Sequence, residues 1–141
     1  YKEYVSRRLT GKGHEDETYL YGSVVPLGAY FVSLLIGTPP QIINCNIDTG
    51  SSVLAVPSVW CGEMCGDNRT HRFDHTVSST SDLVLCTDPR CVRCSREEEY
   101  KDYCEYYVSY GDGSYFNGIL VDDRVEIAPG LGAKVRFGIA I

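Results

Sequence analysis

Methionine and tryptophan are almost missing from this sequence: one of each occurs in 141 residues. Long apolar runs are missing too, since the longest, around Tyr30–Gly37, falls far short of the ~20 residues a membrane-crossing helix requires. A basic surplus is also absent. Thirteen Lys and Arg face nineteen Asp and Glu, a formal charge of −6. Phosphate backbones and anionic bilayers would be repelled, so no nucleic-acid partner is expected. No Gly-x-Ser-x-Gly elbow occurs, which argues against Ser51 and Ser52 as serine nucleophiles. Gly130 and Gly132 follow Pro129 between two strand-like runs and read as a hairpin, not as a phosphate-binding loop. Internal repeats and low-complexity tracts are lacking.

What remains is an ordinary globular balance, 43% apolar and 23% charged, on a chain long enough for one core. Eleven tyrosines and many β-branched residues crowd its middle and favour strands. Tyr19–Val25 and Tyr30–Ile36 read as strands around a Pro26-Leu-Gly-Ala turn. Gly37-Thr-Pro-Pro is a second turn, because prolines supply no ladder donors, and Gln41–Ile47 is the strand beyond it. Tyr106–Tyr110 and Tyr115–Val121 form a hairpin, with Asp112-Gly113 as a primed-turn signal. Asp122–Ile127 and Lys134–Ile141 make one more pair, with Asp122 and Asp123 expected to face solvent. The fold class is all-β, with at most a helical turn near Pro57–Trp60 or Pro89–Cys94. Residues 1–18 are charged and lack apolar periodicity, so they read as a mobile tail or a pro-segment remnant, with Arg7-Arg8 as a processing site. A chain opening on Tyr1 and running out along the apolar Val135–Ile141 is expected to be a piece of something longer.

Seven cysteines stand at positions 45, 61, 65, 86, 91, 94 and 104, and six of them fall within 61–104 beside the sequon Asn68-Arg69-Thr70. Cysteines in that density next to a glycosylation acceptor, Asn68, point to an oxidising secreted or endomembrane route. Cys91-Val-Arg-Cys94 has zinc-ligand spacing, but a second knuckle is lacking. His71, Asp74 and His75 read as plain loop surface, so no metal and no cofactor is expected. Cys45, without an evident partner, reads as a small buried thiol.

The most telling segment is Ile47-Asp48-Thr49-Gly50-Ser51-Ser52, which follows an apolar, β-rich run. A carboxylate, Asp48, leaves a strand and enters a turn. Gly50 permits close backbone approach or a positive φ, and Thr49 and Ser51 offer hydroxyls to orient the carboxylate. Upstream stands Ile36-Gly37-Thr38-Pro39-Pro40-Gln41. Downstream come Pro57-Ser58-Val-Trp-Cys61 with Cys65, then Phe73 with Ser78-Ser79-Thr80-Ser81. Tyr110-Gly111-Asp112-Gly113-Ser114 closes the series, with Gly118-Ile119-Leu120 behind it. In this order and spacing the blocks resemble the N-terminal lobe of pepsin-like aspartic proteases over roughly residues 20–141. The pattern Cys86-x4-Cys91-x2-Cys94-x9-Cys104 resembles the cysteine-rich insertions of the nepenthesin- and plasmepsin-like branches.

The resemblance implies one lobe of a bilobal, double-psi-type β fold, spanning 19–141, with an insertion at about 61–104 and a flap at about 105–122. It makes Asp48 one of two carboxylates that share a proton and activate water for peptide hydrolysis. Thr49, Gly50, Ser51, Tyr110, Gly111, Asp112 and Gly113 become active-site support, with Tyr110 on the inward face of a hairpin that closes over an extended peptide. Only one Asp-Thr/Ser-Gly occurs here, so the second carboxylate is expected from a C-terminal lobe of the same polypeptide, or else from a second copy. The isolated lobe would then be inactive. Loss of the second Asp would instead leave a non-catalytic binding or inhibitor module. Disulfides Cys61–Cys65, Cys86–Cys104 and Cys91–Cys94 are implied, with Cys45 free. One departure stands out: many pepsins have a Trp in the strand after the active-site loop, hydrogen-bonded to the flap tyrosine, where this chain has Ala55.

Overall fold

The computed structural model describes residues 5–11, 14–23, 28–65, 72–111 and 113–141. Among these residues nine strands follow in order: β1 (Val5–Gly11), β2 (His14–Ser23), β3 (Ala29–Ile36), β4 (Gln41–Asn46), β5 (Ala55–Pro57), β6 (Asp82–Leu83), β7 (Glu105–Ser109), β8 (Tyr115–Ala128) and β9 (Leu131–Ala140). They join into one sheet running β1-β2-β3-β8-β9-β5, with β4 on β3 and with β6 and β7 on β8. All pairings are antiparallel except β5 with β9. The all-β expectation holds. Among the described residues, no helix is long and apolar enough to cross a membrane.

The return arm of the hairpin expected at Tyr115–Val121 and the strand expected at Asp122–Ile127 form one element, the fourteen-residue β8. Gly118 lies where β8 passes close to β9: a Cβ there would sit 1.9 Å from the Ile139 carbonyl oxygen, and the β8–β9 register shifts between Glu126 and Ala128. Side chains of a strand alternate between faces, and Ile119, Val121, Asp123 and Val125 are all buried. Ile119, Val121 and Val125 join Leu34, Ile36, Ile43, Val56, Phe73, Phe137 and Ile139 in the core. Phe73 and Phe137 meet edge-to-face at 5.7 Å, an arrangement the ring quadrupoles favour.

That alternation corrects the expectation that Asp123 faces solvent. It occupies an inward position and is fully buried. Its Oδ1 accepts from the Thr80 hydroxyl at 2.6 Å and from the Arg124 amide at 2.7 Å. The Thr38 amide donates to the Ser78 hydroxyl at 2.9 Å beside it. Gly37, at φ +86°, leaves room for this cluster, since a Cβ there would lie 2.7 Å from Ser78 Oγ. Thus the Ser-Ser-Thr segment and the Gly-Thr-Pro-Pro turn are tied together around one carboxylate. Asp122 points outward, as alternation requires. Arg136 donates to both of its oxygens at 2.7 Å and to Asp88 at 2.9 Å.

Three further differences from the sequence reading have local causes. Residues 5–11 and 14–18, expected as part of a tail, are strand: β1 and β2 form a hairpin continued into the sheet by the pairing of Leu20–Ser23 with Ala29–Val32. Short 3-10 turns occur at Glu63–Cys65 and His75–Val77, not near 57–60 or 89–94. At the second, the Asp74 carboxylate caps the turn by accepting from the Thr76 amide at 2.9 Å, whereas Pro57 ends β5 and Ser58 continues as a bridge to Phe73. The disulfides are Cys61–Cys65, as expected, and Cys86–Cys94 and Cys91–Cys104, which replace the expected Cys86–Cys104 and Cys91–Cys94. The turn Asp88–Cys91, closed by the Cys91 amide donating to the Asp88 carbonyl at 2.8 Å, brings Cys91 back toward Cys104. Non-reducing peptide mapping should therefore recover Cys86 linked to Cys94 and Cys91 linked to Cys104; a Cys86–Cys104 peptide would contradict the fold of this segment.

Two stability predictions follow from the packing. Gly138 lies under the buried Tyr106 ring, and a Cβ there would come within 2.2 Å of Tyr106 Cε1. Gly138→Ala should cost ~1–3 kcal/mol by overpacking, read as a lower denaturant midpoint; an unchanged midpoint would show that Tyr106 is not lodged there. Hydrogen bonds from Arg136 hold the Asp122 and Asp88 carboxyls below the usual range. A carboxyl whose pKa is depressed on folding stabilises the fold above its unfolded value, near 3.9, and that stabilisation is lost as pH falls through the folded value. The midpoint should accordingly drop as pH falls below about 4, and Asp122→Asn should flatten that slope; an unaltered slope would remove Asp122 from the account.

Candidate active site

β4 ends at Asn46, and the Ile47 amide still donates to the Tyr30 carbonyl at 2.8 Å, so the chain remains anchored to β3 one residue before Asp48. Asp48 then opens a turn. Its Oδ1 accepts from the Gly50 amide at 2.8 Å, an Asx-type turn in which the carboxylate is oriented by backbone. Gly50 is needed for closeness and not for a positive φ: a Cβ at Gly50 would lie 3.2 Å from that same oxygen. The hydroxyl of Ser51, expected to orient the carboxylate, is instead directed to the Val53 carbonyl at 3.5 Å. Asp48 and Thr49 are exposed.

Facing this turn is the hairpin of β7 and β8. Ser109 pairs with Tyr115, the Tyr110 amide donates to the Ser114 carbonyl at 2.9 Å, and the Gly113 amide donates to the Tyr110 carbonyl at 3.0 Å. Gly113 has φ +85°. The tip is therefore a three-residue loop, Gly111 to Gly113, with a left-handed last residue, in place of the two-residue primed turn that Asp112-Gly113 signals. Asp112 itself lies outside the described residues, as does the sequon residue Asn68.

Between turn and hairpin opens a cleft of about 430 Å³ lined by Asp48, Ser51, Val53, Leu54, Ala55, Cys45, Asn46, Tyr110, Ser114 and Phe116. It brings together Asp48, Ser51 and Tyr110 of the residues singled out by sequence; Thr49, Gly50, Gly111 and Gly113 are not on its walls. Ser114 and Phe116 were missed, although their i, i+2 spacing beside the tip was a signal for a shared face. Ala55, where many pepsins have a Trp, contributes a small wall to this cleft. Trp60 lies elsewhere, edge-on to His75 at 4.2 Å and beside Tyr100 at 5.7 Å.

Cys45 is the free cysteine among the described residues, buried on β4, and burial pushes its thiol up to about 11. A thiol so held is protonated near neutrality and a poor nucleophile. His75, one of the loop residues weighed as a metal ligand, packs on Trp60, and its pKa is lowered mainly by burial. Asp74 is engaged by the amide and hydroxyl of Thr76 at 2.9 Å and 2.6 Å.

The family model described as "Xylanase inhibitor N-terminal" matches residues 30–140. Aspartic protease 5 of Toxoplasma gondii is 34% identical over 120 residues, covering 77% of this chain and 12% of that protein. Plasmepsin V of Plasmodium falciparum is 32% identical over 111 residues, covering 77% of this chain and 18% of its own length. A probable aspartic protease of Arabidopsis thaliana is 33% identical over 114 residues, covering 78% and 25% respectively. The chain thus spans a quarter or less of these relatives. The strand that delivers Asp-Thr-Gly, the hairpin opposite it and the matched span of residues together show that this chain belongs to the xylanase-inhibitor N-terminal family, the N-terminal lobe of pepsin-like aspartic proteases.

Proposed function

We propose that this chain is the N-terminal lobe of an aspartic endopeptidase in which Asp48 supplies one carboxylate of a water-activating pair. The observation that carries the reading is the cleft with Asp48 on one wall and Tyr110 on the other. The second carboxylate comes from a C-terminal lobe of the same polypeptide, in keeping with the small share of its relatives that the chain spans.

Two carboxylates a few ångströms apart cannot both ionise, so they share a proton and titrate as a pair. The ionised member takes a proton from the attacking water, and the protonated member polarises the scissile carbonyl. The Gly50 amide occupies one oxygen of Asp48, which orients the group. The peptide lies extended between the Asp48 turn and the hairpin, partly held by main-chain hydrogen bonds as in strand addition. The Gly111–Gly113 tip, Asp112 included, closes over it, and Tyr110 forms an apolar wall beside the scissile bond.

Three disulfides support an oxidising secretory or endomembrane setting. In that setting Asn68 carries a glycan, and Arg7-Arg8 serves as a cleavage site for removal of a pro-segment. A second reading draws on the family's own description, which names an inhibitor: the lobe persists as a non-catalytic binding module. The two readings differ at one position beyond this chain, the second Asp-Thr/Ser-Gly.

In the full-length protein, Asp48→Asn should abolish peptide hydrolysis, a loss of at least ~10³-fold, since the general base is removed, while the denaturant midpoint barely moves. Turnover within tenfold of wild type would overturn the assignment. The 141-residue chain alone should cleave nothing at acid pH; activity there would point to a homodimeric site. Tyr110→Ala should lower kcat/KM by about tenfold or more, the worth of one apolar side-chain contact, and an unchanged kcat/KM would remove Tyr110 from the site.

A further inference from the structure

We propose that Arg93, from the cysteine-rich insertion, is a positioning residue that braces the flap from its outer face. This inference rests on the proposed role of the β7–β8 hairpin as a flap.

The insertion reaches the hairpin as an added edge. The Glu105 amide donates to the Arg93 carbonyl at 2.8 Å, and the Ser95 amide donates to the Tyr103 carbonyl at 3.0 Å. Cys94 bridges antiparallel to Cys104. Residues 93–95 therefore lie along the approach to β7 on the edge opposite β8. Both flanks of Arg93 are covalently fixed, through Cys91–Cys104 and Cys86–Cys94, so its backbone cannot drift from the base of the hairpin.

Its side chain continues the contact up the strand. Arg93 Nε lies 3.0 Å from Glu105 Oε2, with Glu105 only 11% exposed. The guanidinium carbon sits 6.0 Å from the centroid of Tyr107, within cation–π range. Tyr107 in turn stacks on Tyr115 across the hairpin at 5.9 Å. Alternation along β7 puts Glu105 and Tyr107 on one face and Tyr106 on the other. Tyr106 is buried against Gly138, and Tyr110 lines the cleft. The Arg93–Tyr107–Tyr115 stack thus supports the hairpin from behind and ends next to Ser114, a cleft residue. Tyr107 and Tyr115 are exposed, which leaves this stack, and not burial in the core, to hold the outer face.

The test uses the full-length enzyme. In Arg93→Ala, amides of residues 107–115 should exchange about tenfold faster, as loss of one cation–π and ion-pair contact implies, while core amides such as Ile36 and Phe137 keep their rates. KM for a peptide substrate should rise several-fold with kcat little changed. Arg93→Lys should recover the ion pair to Glu105 but only part of the exchange protection, because an ammonium lacks the planar stacking surface. Should Arg93→Ala not fold, Tyr107→Leu removes the ring, leaves the ion pair in place and should loosen the same amides. Unchanged flap exchange in the folded variant would overturn the brace. Exchange is read without catalysis: faster exchange alongside an active Asp48→Asn enzyme would sink the protease reading and leave the brace standing, whereas unaltered exchange with an inactive Asp48→Asn enzyme would do the reverse.

Discussion

The cleft depends on β8. Its first residues pair with β7 to make the hairpin, Gly118 to Ala128 pair with β9, and Val125 and Glu126 also pair with the end of β3. β3 holds β4, which delivers Asp48, and β9 holds β5, which carries Ala55 along the cleft wall. Each side of the cleft is therefore at most two strands from one continuous ladder. A strand of this length has a single register, because a one-residue slip would turn Ile119, Val121 and Val125 outward together. The separation between Asp48 and Tyr110 is consequently set by the core and not by the two loops that bear them.

Much of this was legible because local chemistry and tertiary position agree. Asp48 follows an apolar strand and meets a small residue two positions on, so the turn is readable from Thr49-Gly50 alone. The hairpin is readable from the tyrosine-rich arms around glycine. What failed was information carried by distant partners. Asp123 looks like surface beside Asp122, and only the inward phase of β8, together with Thr80 forty-three residues earlier, makes it a buried carboxylate. The pairing among Cys86, Cys91, Cys94 and Cys104 cannot be deduced from spacing, since four cysteines allow three connectivities. The turn at Asp88–Cys91 decides it, and no turn signal beyond Asp88 and Pro89 announces that turn. The hairpin tip failed differently: Asp-Gly fits a two-residue turn and a three-residue loop ending in a left-handed glycine equally well, and pairing of Ser109 with Tyr115 selects the second.

Buried polar groups mark where segments far apart in sequence are held together. The fully buried Ser58 hydroxyl donates to the Ala140 carbonyl at 2.6 Å and accepts from the Trp60 amide at 3.0 Å, locking the end of β5 beside the end of β9. Gln41 both donates to the Asp74 carbonyl and accepts from the Asp74 amide at 2.8 Å, so the loop after β5 is fastened to the start of β4. Left unpaired, each of these groups would cost ~1–3 kcal/mol in the interior. They give a small β core what apolar packing alone does poorly, a unique choice among similar registers.

The same economy explains why Asp48 can be so lightly held. One amide hydrogen bond at 2.8 Å orients it, and the residue is otherwise open to solvent. An exposed carboxylate oriented by one amide is open to the approach of a second carboxylate, as the proposed pair requires. In the proposed enzyme, the shared proton is then a property of the junction between lobes. This lobe contributes geometry: a stiff sheet, a turn fixed at its end, and a hairpin whose outer face is tied down by the cysteine-rich insertion.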